Sequence, residues 1–316
     1  MDNETVRVGV DIGRDKIRFI EAEFWNGKLT VTNVQQYSFP VAFDFTTIGD
    51  SKFIPRFAEI IDKACETFSQ KAKSAFVSID RRLTIKKTFA VDKKLTDEEI
   101  RQHIEWELEQ VLIAPRDEYN VGYEHSIIPM GKGDVVVFVA VRKALIGYLK
   151  EIFKKSRLTL ETVDLDLFAS LRALQFAYKE TLNGLTVLLE FTRGGVGFSI
   201  LSDGRYALSS EMPPVVDGKD FYSLSSAEMA DILQKEIDKL LINLRDNLGL
   251  MNLNRIAVAG EAADKALLND LEHIYPGSAS FWVDPFATCY KMLNLESQRL
   301  IENYPQSFLA CMGMVL

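Results

Sequence analysis

The sequence predicts an α/β fold of two similar halves, with a smaller α+β insert in the first, and three observations predict it. A plan of strand, acid, glycine turn and strand occurs twice, opening at Val6 and again at Leu185. Helices with one apolar face follow short apolar strands in each half. Between the two, residues 81–160 run in a different order: strand, helix, two strands, helix, strand.

The first hairpin runs through Val8-Gly9-Val10-Asp11-Ile12-Gly13, turns at Arg14-Asp15 and leaves through Lys16-Ile17-Arg18-Phe19-Ile20. Gly13 lets an oxygen anion approach the backbone N–H groups of the turn, and Asp11 is a carboxylate placed to hold hydrated Mg²⁺. The same residues also make an ordinary tight turn. Arg14 either grips a phosphate or is a solvated turn residue.

The chain of 316 residues is 47% hydrophobic and 26% charged, with a formal charge of −8 that argues against nucleic acid as a main partner. Length predicts about two domains of roughly 150 residues. Cys65, Cys289 and Cys311 lie far apart without a CxxC spacing and read as reduced core thiols of a cytoplasmic protein. The acidic Met1-Asp2-Asn3-Glu4 has no signal-peptide character, and no run of about 18 apolar residues occurs, so no direct membrane insertion is expected.

After the hairpin come a strand near Leu29–Tyr37, a loop with Pro40 and Gly49, and a helix from Phe53 to Gln70 whose buried face includes Phe57, Ile61, Ala64 and Phe68. Ala75–Ile79 is the next strand. In the insert, strand Leu83–Ala90 precedes a helix opened by the capping box Thr96–Glu99, with Ile100, Ile104 and Leu108 on its apolar face. Strands Tyr119–Ile127 and Val135–Val141 flank the Gly131-Lys132-Gly133 turn, and helix Lys143–Ser156 and strand Leu160–Asp164 follow. The second half has strands Leu185–Phe191, Phe198–Ser202 and Arg205–Met212, with a hairpin turn at Asp203-Gly204. A second capping box, Ser225–Glu228, opens a helix to about Leu248; then come strand Arg255–Ala259, helix Lys265–Ile274, strand Ser280–Val283 and a final helix with Phe308, Leu309 and Met312.

Leu95–Gln110 with its Glu105-Trp106-Glu107-Leu108-Glu109, then Ala114–Tyr119, Val139-Ala140-Val141-Arg142-Lys143 and Val163–Leu174, resemble in order and spacing the PilM family of actin-like proteins of type IV pilus assembly. The resemblance covers almost the whole chain. It implies an actin-like, Hsp70-type duplicated ATPase fold with an FtsA/PilM-type α+β insert. Residues 1–80 plus 161–182 form the first half, 81–160 the insert and 183–316 the second half, with an outer part at about 213–283 and a terminal helix at 305–316 packing back. Implied partners are the cytoplasmic N-terminal peptide of a PilN-like inner-membrane protein, docked in the groove between 1–80 and 81–160, and other proteins of the pilus platform. The implied location is cytoplasmic, peripheral to the inner membrane through that partner.

The resemblance also implies ATP and Mg²⁺ as cofactors, with phosphates gripped by the two hairpins. The candidate residues are Asp11, Gly13, Arg14 and Lys16 in the first hairpin and Glu190, Gly194 and Gly195 in the second. Glu236 and Lys239 match the family's E-I-x-R/K beside ribose and base, and are equally read as an ordinary i,i+3 surface pair. Gly260 stands at the first position of the family's glycine pair, which lies against adenosine.

Departures from the family pattern set the functional expectation. D-I-G-A-S-T-T of the second hairpin is here Glu190-Phe191-Thr192-Arg193-Gly194-Gly195-Val196, Glu261 stands for the second adenosine glycine, and Arg14-Asp15 replace a small hydroxyl pair. Each side chain added where backbone should approach costs about 1–3 kcal/mol, and about 1.4 kcal/mol is tenfold in affinity. The expectation is a scaffold that binds nucleotide weakly or not at all and hydrolyses it negligibly. The alternative is an active ATPase or small-molecule kinase, with Asp164 or Asp166 as catalytic aspartate. The Glu105, Glu107 and Glu109 run reads as a solvated acidic helix face. His103, His125 and His273 are isolated, which argues against a structural zinc site.

Overall fold

A computed structural model describes residues 5–25, 28–128, 131–249, 252–261 and 265–316. The turn 13–15 separates β1 (Thr5–Ile12) from the antiparallel β2 (Lys16–Trp25), and β3 (Lys28–Ser38) continues the sheet. Helix α1 (Ile54–Cys65) stops short of the expected Gln70. The cause is long-range: the Ser69 N–H, which a longer helix would direct at the Cys65 carbonyl, donates to Glu21 Oε1 at 2.8 Å, Asn33 of β3 donates to the Thr67 carbonyl at 2.9 Å, and the Phe68 ring turns toward Phe19. The next elements are β4 (Ser74–Ile79), β5 (Ile85–Val91) and α2 (Asp97–Val111). In the Thr96 capping box the Thr96 hydroxyl accepts from Glu99 N–H and the Glu99 carboxylate accepts from Thr96 N–H, as the sequence predicts.

There follow β6 (Tyr119–Ser126), β7 (Asp134–Arg142), α3 (Lys143–Lys154), β8 (Thr159–Leu165) and α4 (Asp166–Tyr178). The second half begins with β9 (Leu185–Thr192), β10 (Gly195–Ser202) and β11 (Arg205–Met212). Asp203 and Gly204, at φ 50 and 75°, supply the left-handed residues that the β10–β11 turn requires. After the short pair β12 (Val215–Val216) and β13 (Lys219–Asp220) comes α5 (Ser226–Leu248), opened by the second capping box. Last are β14 (Leu253–Gly260), α6 (Lys265–Ile274), β15 (Ala279–Trp282), β16 (Tyr290–Lys291), α7 (Leu295–Asn303) and α8 (Leu309–Val315).

These elements fall into two compact units. The first comprises Met1–Thr84, Val141–Ala177 and Asp284–Leu316, and holds a six-stranded sheet in the order β16-β3-β2-β1-β4-β8. Whereas the sequence reading gave α3 and β8 to the insert, β8 pairs with β4 in this sheet, and Tyr148 of α3 meets the Phe57 ring of α1. The buried α8 lies against β1, and Arg7 fixes its end, stacking on Phe24 and Phe76 while donating to the Leu316 carbonyl at 3.0 Å.

The second unit comprises Ile85–Ala140 and Tyr178–Val283 and contains a five-stranded sheet, β11-β10-β9-β14-β15, and a three-stranded sheet, β5-β7-β6. Ile100, Ile104 and Leu108 of α2 pack with Tyr119, Val136 and Phe138. The alternate positions of β5 meet β11 through polar contacts. Lys86 Nζ donates to Ser209 Oγ at 2.5 Å and pairs with Glu211 at 2.6 Å, and the Thr88 and Tyr206 hydroxyls are 2.7 Å apart. Ser126 Oγ adds a bond to the Tyr206 carbonyl at 2.7 Å.

Candidate functional site

Asp11 is the penultimate residue of β1 and is buried. Its position in the sheet is fixed by register: Gln36, Arg18, Asp11, Ser78 and Asp164 stand side by side across β3, β2, β1, β4 and β8. These side chains form one polar row. Gln36 Oε1 accepts from Arg18 Nε at 2.9 Å, Arg18 Nη1 donates to Asp11 Oδ2 at 3.3 Å, and Ser78 Oγ donates to Asp11 Oδ1 at 2.9 Å. Burial pushes the Asp11 carboxyl above the ordinary aspartate range, against the opposing pull of Arg18 and Ser78. A hydrated Mg²⁺ bound through Asp11 does not fit this donor set, because each carboxylate oxygen already accepts from a side chain and a guanidinium stands beside it.

The rest of the first hairpin is likewise tied within its own unit. Gly13 N–H donates to the Lys16 carbonyl at 2.9 Å, which closes the turn. The Arg14 and Asp15 carbonyls accept from Phe43 and Phe39 N–H groups, at 2.7 and 2.8 Å. Arg14 itself pairs with Asp44 at 3.4 Å on the surface, half exposed. Asp44 is held below the ordinary aspartate range chiefly by its Thr46 hydrogen bond. The two aspartates weighed for a kinase have structural partners: Asp164 pairs with Arg172 at 2.6 Å, and Asp166 accepts from Arg81 Nε at 2.8 Å.

In the second hairpin Glu190 is buried near the end of β9, in register with Gly197 of β10 and Ala259 of β14. Thr192, where the family pattern has a glycine, uses its hydroxyl to close the turn, accepting from Gly194 N–H at 3.3 Å and donating to the Gly195 carbonyl at 3.1 Å. Tyr222 then covers the turn, its hydroxyl donating to the Thr192 carbonyl and lying 3.1 Å from the Gly195 carbonyl. Gly195 (φ 124°) and Gly260 (φ 97°) are both required by crowding. A Cβ on either would stand 2.0 Å from a backbone carbonyl oxygen, that of Met212 or of Phe191. Glu236 and Lys239 form the exposed i,i+3 pair, at 2.6 Å. The segment Ala262–Asp264, which follows Gly260 and Glu261 in the stretch expected to face adenosine, lies outside the described residues.

The structure thus brings Asp11, Gly13, Arg14 and Lys16 together in one unit, and Glu190, Gly194, Gly195 and Gly260 in the other. Sequence reasoning missed Arg18, Gln36, Ser78 and Tyr222. Arg18 had a signal, since a turn centred between Arg14 and Asp15 makes residues 11 and 18 cross-strand partners; the parallel register that brings Ser78 to Asp11 leaves no local mark. Among the described residues no three His, Cys, Asp or Glu side chains converge as a metal site, and no helix is long and apolar enough to cross a membrane.

The sequence profile of the family described as type IV pilus assembly protein PilM matches residues 9–204. No curated protein matches the sequence. Among solved structures, a PilM–PilN type IV pilus biogenesis complex aligns at TM-score 0.72 and 16% identity, over 98% of this chain and 97% of that one. A Bacteroides thetaiotaomicron protein with an actin-like ATPase fold and unknown function gives TM-score 0.47 at 12% identity, over 94% of this chain and 96% of that one. The cytoplasmic domain of EpsL, from the type II secretion system of Vibrio cholerae, gives 0.45 at 10%, over 83% and 84%. With the profile spanning more than half of its residues and the expected actin-like fold present over nearly all of it, this chain belongs to the PilM family of type IV pilus assembly proteins.

Proposed function

We propose that the chain is a docking component of the type IV pilus assembly machine that binds nucleotide weakly or not at all and hydrolyses it negligibly. The observation that carries this reading is the occupancy of the hairpins by the protein's own groups. Arg18 and Ser78 engage Asp11, and Thr192 with Tyr222 closes the second turn. A phosphate would have to displace those contacts before gaining its own. The partner in this reading is the short N-terminal peptide of a PilN-like inner-membrane protein, which holds the chain at the cytoplasmic face beside other platform proteins. The neighbour described as a PilM–PilN complex supports this choice of partner.

Calorimetric titration of the full chain with ATP and Mg²⁺, with phosphate release followed in parallel, tests the nucleotide half of the reading. Silence in both assays is expected. Micromolar binding that disappears in Asp11→Ala, with steady phosphate release, would replace docking by ATPase action. Titration with the partner's N-terminal peptide tests the other half, and no binding there would remove the docking role.

A further inference from the structure

We infer that Arg18 is the resident cation of the first hairpin, neutralising Asp11 from within the chain in place of the divalent ion that the fold family implies, with Gln36 and Ser78 as positioning residues. This concerns the hairpin on which the docking reading rests, but it names the group responsible and has a test of its own.

Geometry carries the argument. In an antiparallel pair, directly opposed side chains stand about 4.5–5.5 Å apart at Cβ, and Asp11 and Arg18 are such a pair. A guanidinium on the neighbouring strand therefore reaches the carboxylate without any loop to position it. Its planar fork is set by the 2.9 Å bond from Nε to Gln36 Oε1, which leaves Nη1 directed at Asp11 Oδ2, while Ser78 Oγ engages Oδ1. The Arg18 and Asp11 side chains are only 13% and 11% exposed, so salt screens their interaction far less than it would on the surface.

A second cation at Asp11 would meet the Arg18 charge at close range. Mg²⁺ gives up its waters reluctantly and demands near-octahedral oxygen ligands, so it gains little from a carboxylate whose two oxygens are already engaged. Arginine stays protonated across the working pH range, which makes this counter-charge permanent. Cys311 adds a restraint on the same two strands, its Sγ donating to the Gly9 carbonyl at 3.2 Å and lying 3.4 Å from the Arg18 carbonyl. The divalent ion is excluded by a built-in charge; a merely distorted turn would not exclude it.

The experiment is a Mn²⁺ titration of the full chain followed by the electron-spin resonance of the free ion, with melting temperatures compared in MgCl₂ and EDTA. The wild-type chain is expected to show no Asp11-dependent Mn²⁺ uptake through the millimolar range and the same melting temperature in both buffers. Arg18→Gln, which removes the charge and retains a polar side chain, is expected to gain Mn²⁺ affinity by at least about tenfold, since a nearby unit charge in a shielded site is worth more than that. The gain is expected to vanish in Arg18→Gln/Asp11→Asn and to be absent in Arg18→Lys. Saturable wild-type binding abolished by Asp11→Asn would overturn the inference, as would a folded Arg18→Gln protein that gains nothing. If Arg18→Gln does not fold, the wild-type and Asp11→Asn titrations decide alone. ATP binding by the wild type in EDTA would sink the docking reading and leave this inference standing; Asp11-dependent Mn²⁺ binding does the opposite damage.

Discussion

Two glycine-to-alanine changes in helices of the same unit are expected to shift stability in opposite directions. Gly313 lies in α8, where a Cβ would stand 1.8 Å from the Ala169 carbonyl oxygen of α4 and must move beyond 3.0 Å to be tolerated. The obstacle is backbone, so no rotamer change relieves it. Helix α8 cannot retreat without opening contacts of Leu309, Cys311, Met312 and Val315, all buried. Overpacking of this kind costs about 1–3 kcal/mol, at the upper end when backbone must shift, and alanine's better helix propensity returns about 1 kcal/mol. The net loss for Gly313→Ala is about 2 kcal/mol, or about 4–8 °C in Tm at about 2–4 °C per kcal/mol. Gly147 of α3 is exposed with nothing within 4 Å of its Cβ position, so Gly147→Ala keeps only the propensity gain, about 0.5–1 kcal/mol. Thermal unfolding by near-ultraviolet circular dichroism reads both. A Gly313→Ala protein as stable as wild type would mean that α8 does not lie on α4 as described. Because Cys311 of α8 bonds the Gly9 carbonyl of β1, the Gly313 substitution is also felt by the strand that carries Asp11.

Glu99 and Glu228 sit below the ordinary glutamate range, held first by the Thr96 N–H and the Ser225 hydroxyl respectively. Their contribution is present above the unfolded value of about 4.3 and is lost as pH falls through the folded values, so the stability margin of wild type over Thr96→Ala/Ser225→Ala, read by urea unfolding with circular dichroism, should be full above about pH 4.3 and shrink as the pH falls below it. Burial pushes Cys65 and Cys289 to about 11 from 9.0, which leaves about a hundredfold less thiolate near neutrality; labelling by a disulfide reagent should be slow in the native chain and fast in urea. Lys86→Met should lower stability by about 0.5–1.5 kcal/mol by removing the bonds to Ser209 and Glu211 at the contact between β5 and β11, whereas Lys154→Met, at an exposed pair with Glu151, should change it by less than about 0.5 kcal/mol in urea unfolding.

What the sequence made legible is what short-range physics decides. Both capping boxes and the Asp203-Gly204 turn depend on residues a few positions apart, and all three are present. The end of α1 is misplaced because it depends on residues far away in sequence: Glu21 takes the Ser69 N–H and Gln35 the Ala64 carbonyl, both of which a longer helix would use. Strand β8 was given to the insert because parallel pairing with β4 requires no neighbouring turn to announce it. At the candidate site, motif spacing singles out Asp11 and Gly195 but does not show what touches them. Tyr222 reaches the Thr192 carbonyl from beyond β13, with no periodicity to point to it.

This difference decides which motif residues testify to a ligand. Gly195 and Gly260 would persist in a chain that has no use for phosphate, since a Cβ on either strikes a carbonyl oxygen at 2.0 Å whatever the hairpins bind. Their presence is therefore weak testimony for nucleotide. A carboxylate such as Asp11 is different, because a buried acid must be compensated and the compensating group is visible. Had an ion been the intended partner, the strand position opposite Asp11 would be served best by a small or neutral residue that leaves the oxygens free. It is instead Arg18, held by Gln36, with Ser78 on the other side. The fold keeps the hairpin geometry through backbone packing, while the charge of Asp11 is met from within the chain by Arg18, with Gln36 and Ser78 beside it.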